Sequence, residues 1–305
     1  MHHAAGHSLA AHEPKTNRLW GRRTVAGGAP RCETGVMPWV PELFSAAVLA
    51  QWEERRQEVV DVPYFDGLAS GEVDALVESF GGEPRIQHPL RGLIAGEEAF
   101  REFVADVGRW LLDHDASVED VQRSVLEQRG FEEVVIHLDT EAGRIALPHG
   151  LVADHDRDGL LEEIRVYFST RPLTGHRADR PPLLAPDPEL SEPDAVAEYG
   201  RALAAGDARA VAAAFEAGGY AREADTASRV HIGADALCSF YGGCLSEGAV
   251  ELEPCVLVED DATCALEYNL SRPGATAPQA GFTVFVHGEA GKLAAVRIYD
   301  DLGPR

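Results

Sequence analysis

Residues 164–168 read IRVYF, and residues 296–300 read VRIYD. Two copies of an apolar-Arg-apolar-Tyr phrase raise the question of whether the likeness continues upstream, because a five-residue match is cheap and a collinear series is not. It continues. Arg165 and Arg297 stand 132 residues apart, as do Tyr167 and Tyr299. Val125-Leu126-Glu127 meets Val256-Leu257-Val258 at an offset of 131, and GEEAFREF (96–103) meets GADALCSF (233–240) at 137. YFDGLASGEVDALVESF (64–80) meets YGRALAAGDARAVAAAF (199–215) at 135. The drifts fall in segments that read as loops, so the chain reads as a tandem duplication of a unit of about 110 residues, a common domain size.

Each unit parses alike. In the second copy Val196, Tyr199 and Leu203 set a helical period, Gly206 suits a left-handed helix end, and Asp207 suits the cap of a following helix that runs to about Phe215. Phe100, Phe103, Val104, Val107, Trp110 and Leu111 lie at spacings of three and four, one apolar face of a third helix, and Phe103 returns as Phe240. Four segments rich in β-branched residues follow, 120–129, 131–139, 144–155 and 160–168 in the first copy, with Gly130, Gly143 and DRDG (156–159) as turns. Helices first and strands afterwards predict an α+β unit with helices on one face of a bent, mainly antiparallel sheet. Between the copies, RPLTGHRADRPPLLAPDPELSEP (171–193) predicts an extended, semi-rigid linker, with Ser191 and Asp194 as a capping box for a helix starting near 192. The expected organisation is therefore a leader (1–36), a first domain with an extra N-terminal helix (37–170), the linker (171–193) and a second domain (194–305). The leader shows no apolar period, which predicts disorder and a true translation start at Met37.

Composition narrows the partners. The chain has 305 residues, 45% of them hydrophobic, enough for real cores, and carries a net charge of −24. That charge, with no basic stripe, argues against nucleic acid. No apolar run reaches the roughly 18 residues a membrane helix needs. Five cysteines, Cys32, Cys238, Cys244, Cys255 and Cys264, never in C-x-x-C spacing, predict reduced, mostly buried thiols and a cytoplasmic protein. His2, His3, His7 and His12 lack carboxylate or thiol partners at ligand spacing, so no metal is expected there. DHDRDG (154–159) imitates a calcium loop, but its twelfth position is Arg165 and it joins two strands, so calcium is not expected. Phosphate-binding, dinucleotide, nucleophile-elbow and zincin motifs are absent, and no cofactor is expected.

The order ααβαββββ, the phrase ALAAGD (202–207), the aromatic third helix and the closing V-R-I-Y strand resemble the SnoaL-like and ketosteroid-isomerase-like branch of the nuclear transport factor 2-like superfamily. The resemblance covers about 60–169 and about 194–301. It implies two tandem cone-shaped domains paired as an intramolecular pseudo-dimer, each with an apolar pocket at the cone's mouth. It also implies a small apolar ligand and, for an enzyme, cofactor-independent isomerase, cyclase or dehydratase chemistry on a carbonyl compound such as a polyketide or terpenoid intermediate. The alternative is a non-catalytic binding or interaction module. By the same resemblance Glu223 takes the base position and Tyr199 the oxyanion-donating position in the second copy, and His88 and Tyr64 take them in the first. His137 and His149 on neighbouring strands, with Tyr268 matched to His137, complete the expected pockets, whereas no carboxylate is found near Gly281-Phe282-Thr283. Arg165/Tyr167 and Arg297/Tyr299 share one face of their strands, either to dock a substrate anion or to anchor the sheet or the contact between halves.

Overall fold

The structure, a computed structural model, describes residues 73–126, 128–141 and 143–300. The leader, the extra N-terminal helix and Tyr64 lie outside these residues. The first half runs α1 (Val73–Glu78), β1 (Arg85–His88), β2 (Gly92–Ala95), α2 (Glu97–Asp113), β3 (Ser117–Val125), β4 (Arg129–Thr140), β5 (Gly143–His155) and β6 (Leu161–Tyr167). After the short α3 (Arg171–Thr174), the second half runs α4 (Asp194–Ala204), α5 (Ala208–Ala213), β7 (Phe215–Arg222), β8 (Val230–Ile232), α6 (Ala234–Cys244), β9 (Glu251–Glu259), β10 (Thr263–Ser271), β11 (Gln279–His287) and β12 (Leu293–Ile298). The two sheets have the same order, β2-β1-β6-β5-β4-β3 and β8-β7-β12-β11-β10-β9. Each is antiparallel except where β1 meets β6 and β7 meets β12, which pair parallel. Extra residues at Val121 in β3, Glu162 in β6, Cys255 in β9 and Ala294 in β12 form bulges, which bend a strand and increase its twist.

Local chemistry explains the helices. α2 begins after Gly96 (φ 87), carries Glu97 and Glu98 in its first turn, where the helix dipole favours acid, and buries Phe100, Phe103, Val104 and Leu111. Gly206 does take a left-handed φ of 68, and Asp207 does cap α5, accepting from the Arg209 and Ala210 amides at 3.0 Å. Two boundary expectations need correction. α4 starts at Asp194 with Pro193 as its N-cap and no side-chain cap bond, so Ser191 forms no capping box. Gly130 lies inside β4, and the turn it was expected to make falls just before that strand. The DRDG turn is held by Asp156, whose Oδ1 accepts from the Asp158 and Leu160 amides, which commits that carboxylate to the hairpin.

The repeated phrase now has its physical reason. Alternation along β6 sends Ile164, Val166 and the following Phe168 into the first half's core and turns Arg165 and Tyr167 to the opposite face. β12 sends Val296 and Ile298 into its own core and turns Arg297 and Tyr299 the other way. The two outward faces meet in a third core containing Phe131, Val152, Tyr167, Phe282, Val284 and Tyr299. Across it, Arg165 grips Glu267 of β10 through Nε–Oε1 (2.6 Å) and Nη2–Oε2 (2.8 Å), while the Tyr167 hydroxyl donates to the same carboxylate at 2.7 Å. Reciprocally, Arg297 grips Glu133 of β4, with Nε at 2.8 Å from Oε1, and the Tyr299 hydroxyl donates to that carboxylate. Burial disfavours charge on Arg165, yet Glu267 and Asp154 outweigh it and hold the guanidinium's pKa well above its usual value. Of the two readings of the Arg–Tyr pairs, these contacts are those of an anchor between the halves.

The linker is fastened rather than free. By strand register Gln87 and Arg222 are equivalent, since each pairs with its half's clamp arginine. Arg222 covers the Tyr299 ring at 5.0 Å. The first half has no arginine at that position, and Arg180 of the linker takes over, lying 4.5 Å from the Tyr167 ring centre and donating to the Val166 and Gln87 carbonyls at 2.7 and 3.0 Å. Further on, the Ala280 amide donates to the Arg180 carbonyl, and the Asn269 side chain donates to that of Leu184.

Candidate functional site

Strand alternation also builds the first half's pocket. Ile86 and His88 share a face of β1, Leu147 and His149 share a face of β5, and Val166 and Phe168 share a face of β6, all turned toward α2. The result is a cavity of about 270 Å³ walled by His88, Phe103, Val107, Trp110, Leu111, Ile136, Leu138, Leu147, His149, Val166 and Phe168, with Leu90, Leu173, Arg91 and Asp106 also lining it. Phe168 lies against both imidazoles, 5.4 Å from His88 and 4.3 Å from His149, and Phe103 meets His88 edge-on at 5.3 Å. Arg91 and Asp106, both well exposed, pair with each other at 3.8 Å. Burial, aided by neighbouring His149, Arg180 and Arg91, pushes the His88 pKa down to about 3. Burial likewise pushes His149 down to about 4, partly offset by its bond to the Leu147 carbonyl. At neutral pH the pocket therefore presents two uncharged imidazoles in an apolar wall.

The second half holds a different arrangement at the same positions. Register makes Glu223 the counterpart of His88, Gly281 that of His149, and Asp300 that of Phe168. It also makes Tyr268 the counterpart of Val134, which corrects the expected match of Tyr268 to His137. The Tyr268 ring lies over Gly281, where a methyl group would collide with it, and its hydroxyl donates to Asp300 and sits 2.8 Å from Thr283 Oγ1. Tyr268 thus fills the space that His149 lines in the first half. Tyr199 is buried, its hydroxyl donating to that of Tyr241 at 3.2 Å, and burial raises its pKa well above the usual phenol value. What remains beside Tyr199, Tyr241 and Tyr268 is a cavity of about 50 Å³.

The candidate residues therefore divide. His88 and His149 come together in one pocket. His137 is outside that wall and bonds Glu119 at 2.8 Å. Tyr199 and Tyr268 share the small second cavity, but Glu223 is not in its wall; its carboxylate accepts from Arg229 (3.1 Å) and lies 2.8 Å from His231 Nε2. Sequence reasoning missed Asp300 and Tyr241, which the second cavity does contain. The signal for Asp300 was its position opposite Phe168 in the repeat, visible only once β6 and β12 are aligned. Among the described residues no group of three or more His, Cys, Asp or Glu is arranged to hold a metal ion, and no helix is long and apolar enough to cross a membrane.

Neither a protein-family model nor a curated protein matches the sequence. Among solved structures the chain is similar to a protein of Sinorhizobium meliloti provisionally named a polyketide cyclase, at 19% identity over 35% of this chain and 94% of that one (TM-score 0.31). It is also similar to the epoxide hydrolase/cyclase-like enzyme SalBIII of salinomycin pyran-ring formation, at 19% identity over 39% and 90% (TM-score 0.29). A third similar structure is a nuclear transport factor 2-like protein of Cytophaga hutchinsonii, at 14% identity over 36% and 90% (TM-score 0.29). The chain's own topology is the same helix-backed six-stranded sheet written twice, the tandem α+β arrangement that the sequence predicts.

Proposed function

We propose that the first half binds one small, neutral, largely apolar carbonyl compound in the His88/His149 pocket and acts on it by cofactor-independent acid–base chemistry of the isomerase, cyclase or dehydratase type. The observation that carries this reading is the contrast between halves: about 270 Å³ lined by two imidazoles and apolar side chains in one, about 50 Å³ beside a ring-filled core in the other. The first is close to the size range of small-molecule sites, and the second is too small for one. A neutral interior suits an uncharged ligand, because burying an unpaired ion there is costly. The second half fits the non-catalytic reading, with its pocket filled and its outer face given over to pairing. Calorimetric titration of the full chain with 2-tetralone, a compact bicyclic ketone, tests the reading. Saturable binding is expected in the native chain and should be lost in Val107→Trp, which fills the cavity; equal binding by that variant would overturn the assignment.

A further inference from the structure

Three hydrogen bonds tie the second half to the rim of the first half's pocket, and all involve the loop between β7 and β8. By register Arg222 and Val230 flank that loop as Gln87 and Leu93 flank its counterpart, so the connection is 223–229 in one copy and 88–92 in the other, two residues longer in the second. The offset between the copies rises from 135 to 137 across it. The added length carries the loop onto the first half. Pairing of β5 with β6 ends at Gly150, and where β5 runs on past that point the Ala146 carbonyl accepts from the Ala227 amide at 2.9 Å, beside Leu147 and His149 of the pocket wall. Asp225 accepts from Ser169 Oγ at 2.7 Å and from Arg171 Nη1 of α3 at 3.1 Å. The loop itself is braced: Arg229 Nη1 lies 3.1 Å from Glu223 and 3.8 Å from Asp225, the Glu223 amide donates to the Arg229 carbonyl, and the Arg229 amide donates to that of Thr226.

What the loop grips is a movable piece of that wall. α3 is four residues long, too short to persist without packing, and it ends at Gly175, whose φ of 81 is the left-handed turn of a helix end. Leu173 on one side of it lines the pocket, and Arg171, two positions back and so on the opposite side, reaches Asp225. We infer that α3 is the gate of the first half's pocket and that Asp225 of the second half is the latch that holds it shut. This rests on the pocket reading proposed above. The Arg171 side chain is half-exposed, so the pair is one that water can part, and parting it frees α3 to carry Leu173 out of the wall. Asp225 acts through α3 and is not in the wall, which makes it a positioning residue. The second copy, its own interior filled, thereby sets how fast a ligand enters and leaves the first. Because the latch forms with or without ligand, breaking it raises the open fraction of the free and the loaded chain alike, which speeds entry and exit together and leaves affinity nearly unchanged.

Stopped-flow tryptophan fluorescence of the full chain with 2-tetralone tests the inference, with Trp110 of the wall as reporter. Asp225→Ala should raise the association and dissociation rates each roughly tenfold, the scale of losing a charge-assisted hydrogen bond, and leave Kd within about threefold. Arg171→Met should do the same, and the double variant should be no faster than either single one, because both remove one interaction. Unchanged rates in both single variants, additive effects in the double variant, or a weaker Kd with an unchanged association rate would overturn the latch. Hydrogen exchange of the full chain without ligand reads the gate independently: the amides of 171–178 should exchange roughly tenfold faster in Asp225→Ala and in Arg171→Met than in the native chain, while those of β9 stay the same. Should Asp225→Ala fail to fold, Arg171→Met, at a half-exposed side chain, carries both measurements. If 2-tetralone does not bind the native chain, the pocket reading falls and the exchange result alone decides the latch; equal exchange in native chain and variants would overturn it whether or not 2-tetralone binds.

Discussion

Replacing Glu267 by alanine removes the carboxylate that receives two bonds from Arg165 and one from Tyr167. The Arg165 side chain is 0% exposed, so its charge has no water to turn to. Breaking a buried pair by deleting one partner costs about 3–5 kcal/mol, and stranding a buried hydroxyl costs about 1–3 more. Asp154, which still holds Arg165 Nη1 at 2.5 Å, offsets part of this, so the expected loss for Glu267→Ala is about 3–5 kcal/mol. The reciprocal change, Glu133→Ala, should cost more. Arg297 then keeps only the neutral Gln122 oxygen at 2.8 Å and Tyr220, with no second carboxylate among its described partners. Urea unfolding at pH 7, followed by both far-ultraviolet circular dichroism and tyrosine fluorescence, measures the two losses and shows whether the halves come apart separately. Arg165→Met with Glu267→Leu should recover most of the stability, since a buried pair replaced as a unit by apolar side chains is often neutral. Losses below about 1 kcal/mol for both single variants, or a greater loss for Glu267→Ala than for Glu133→Ala, would refute the reciprocal clamp.

Acid should weaken the fold before its carboxylates titrate. His88, His149 and His155 have folded pKa values of about 3, 4 and 4 against 6.5 when unfolded, so the unfolded chain binds more protons between these limits and stability falls as pH drops below 6.5. By pH 5 each contributes a loss of up to about 2 kcal/mol, and a melting temperature flat from pH 7 to 5 would contradict the neutral pocket. Gly150→Ala should cost about 1–3 kcal/mol because a Cβ there would lie 2.6 Å from the Phe282 ring of the other half, and Phe282→Leu should relieve it. An additive double variant in urea unfolding would contradict that contact. Arg180→Met should cost about 2–4 kcal/mol by leaving the Val166 and Gln87 carbonyls without their donor and the Tyr167 ring uncovered, whereas a freely hanging linker would give no change.

Much of the fold could be read before the structure because its signals are local. The helix face from Phe100 to Leu111, the Gly206–Asp207 junction and the alternation in IRVYF each depend on residues a few positions apart. The site was harder because it depends on register. β3 and β9 carry equivalent bulges, at Val121 and Cys255, and the ladders match Val256 with Gln122 rather than Val125, so the offset of 131 falls three residues short, a shift that matched Tyr268 with His137 when the ladder matches it with Val134. Filling of the second pocket follows from that register together with the bare backbone at Gly281, and neither is visible in composition or spacing. Asp300 closes the VRIYD phrase, and nothing in that phrase foretells that its carboxylate is buried and bonded to Tyr268. Arg180 sat in a proline-rich stretch that read as a spacer, and only the missing arginine at Gln87 explains its place. The equivalence of His88 with Glu223 was legible, whereas the contacts of the two imidazoles with the Leu90 amide and the Leu147 carbonyl are ones that no motif records.

The central claim is that duplication kept the fold twice and the pocket once. Native mass spectrometry of the full chain with excess 2-tetralone counts bound molecules directly. One molecule per chain, lost in Val107→Trp and retained when the second cavity is altered by Leu252→Trp, is the predicted result; two molecules per chain, or one that survives Val107→Trp and is lost in Leu252→Trp, would contradict it.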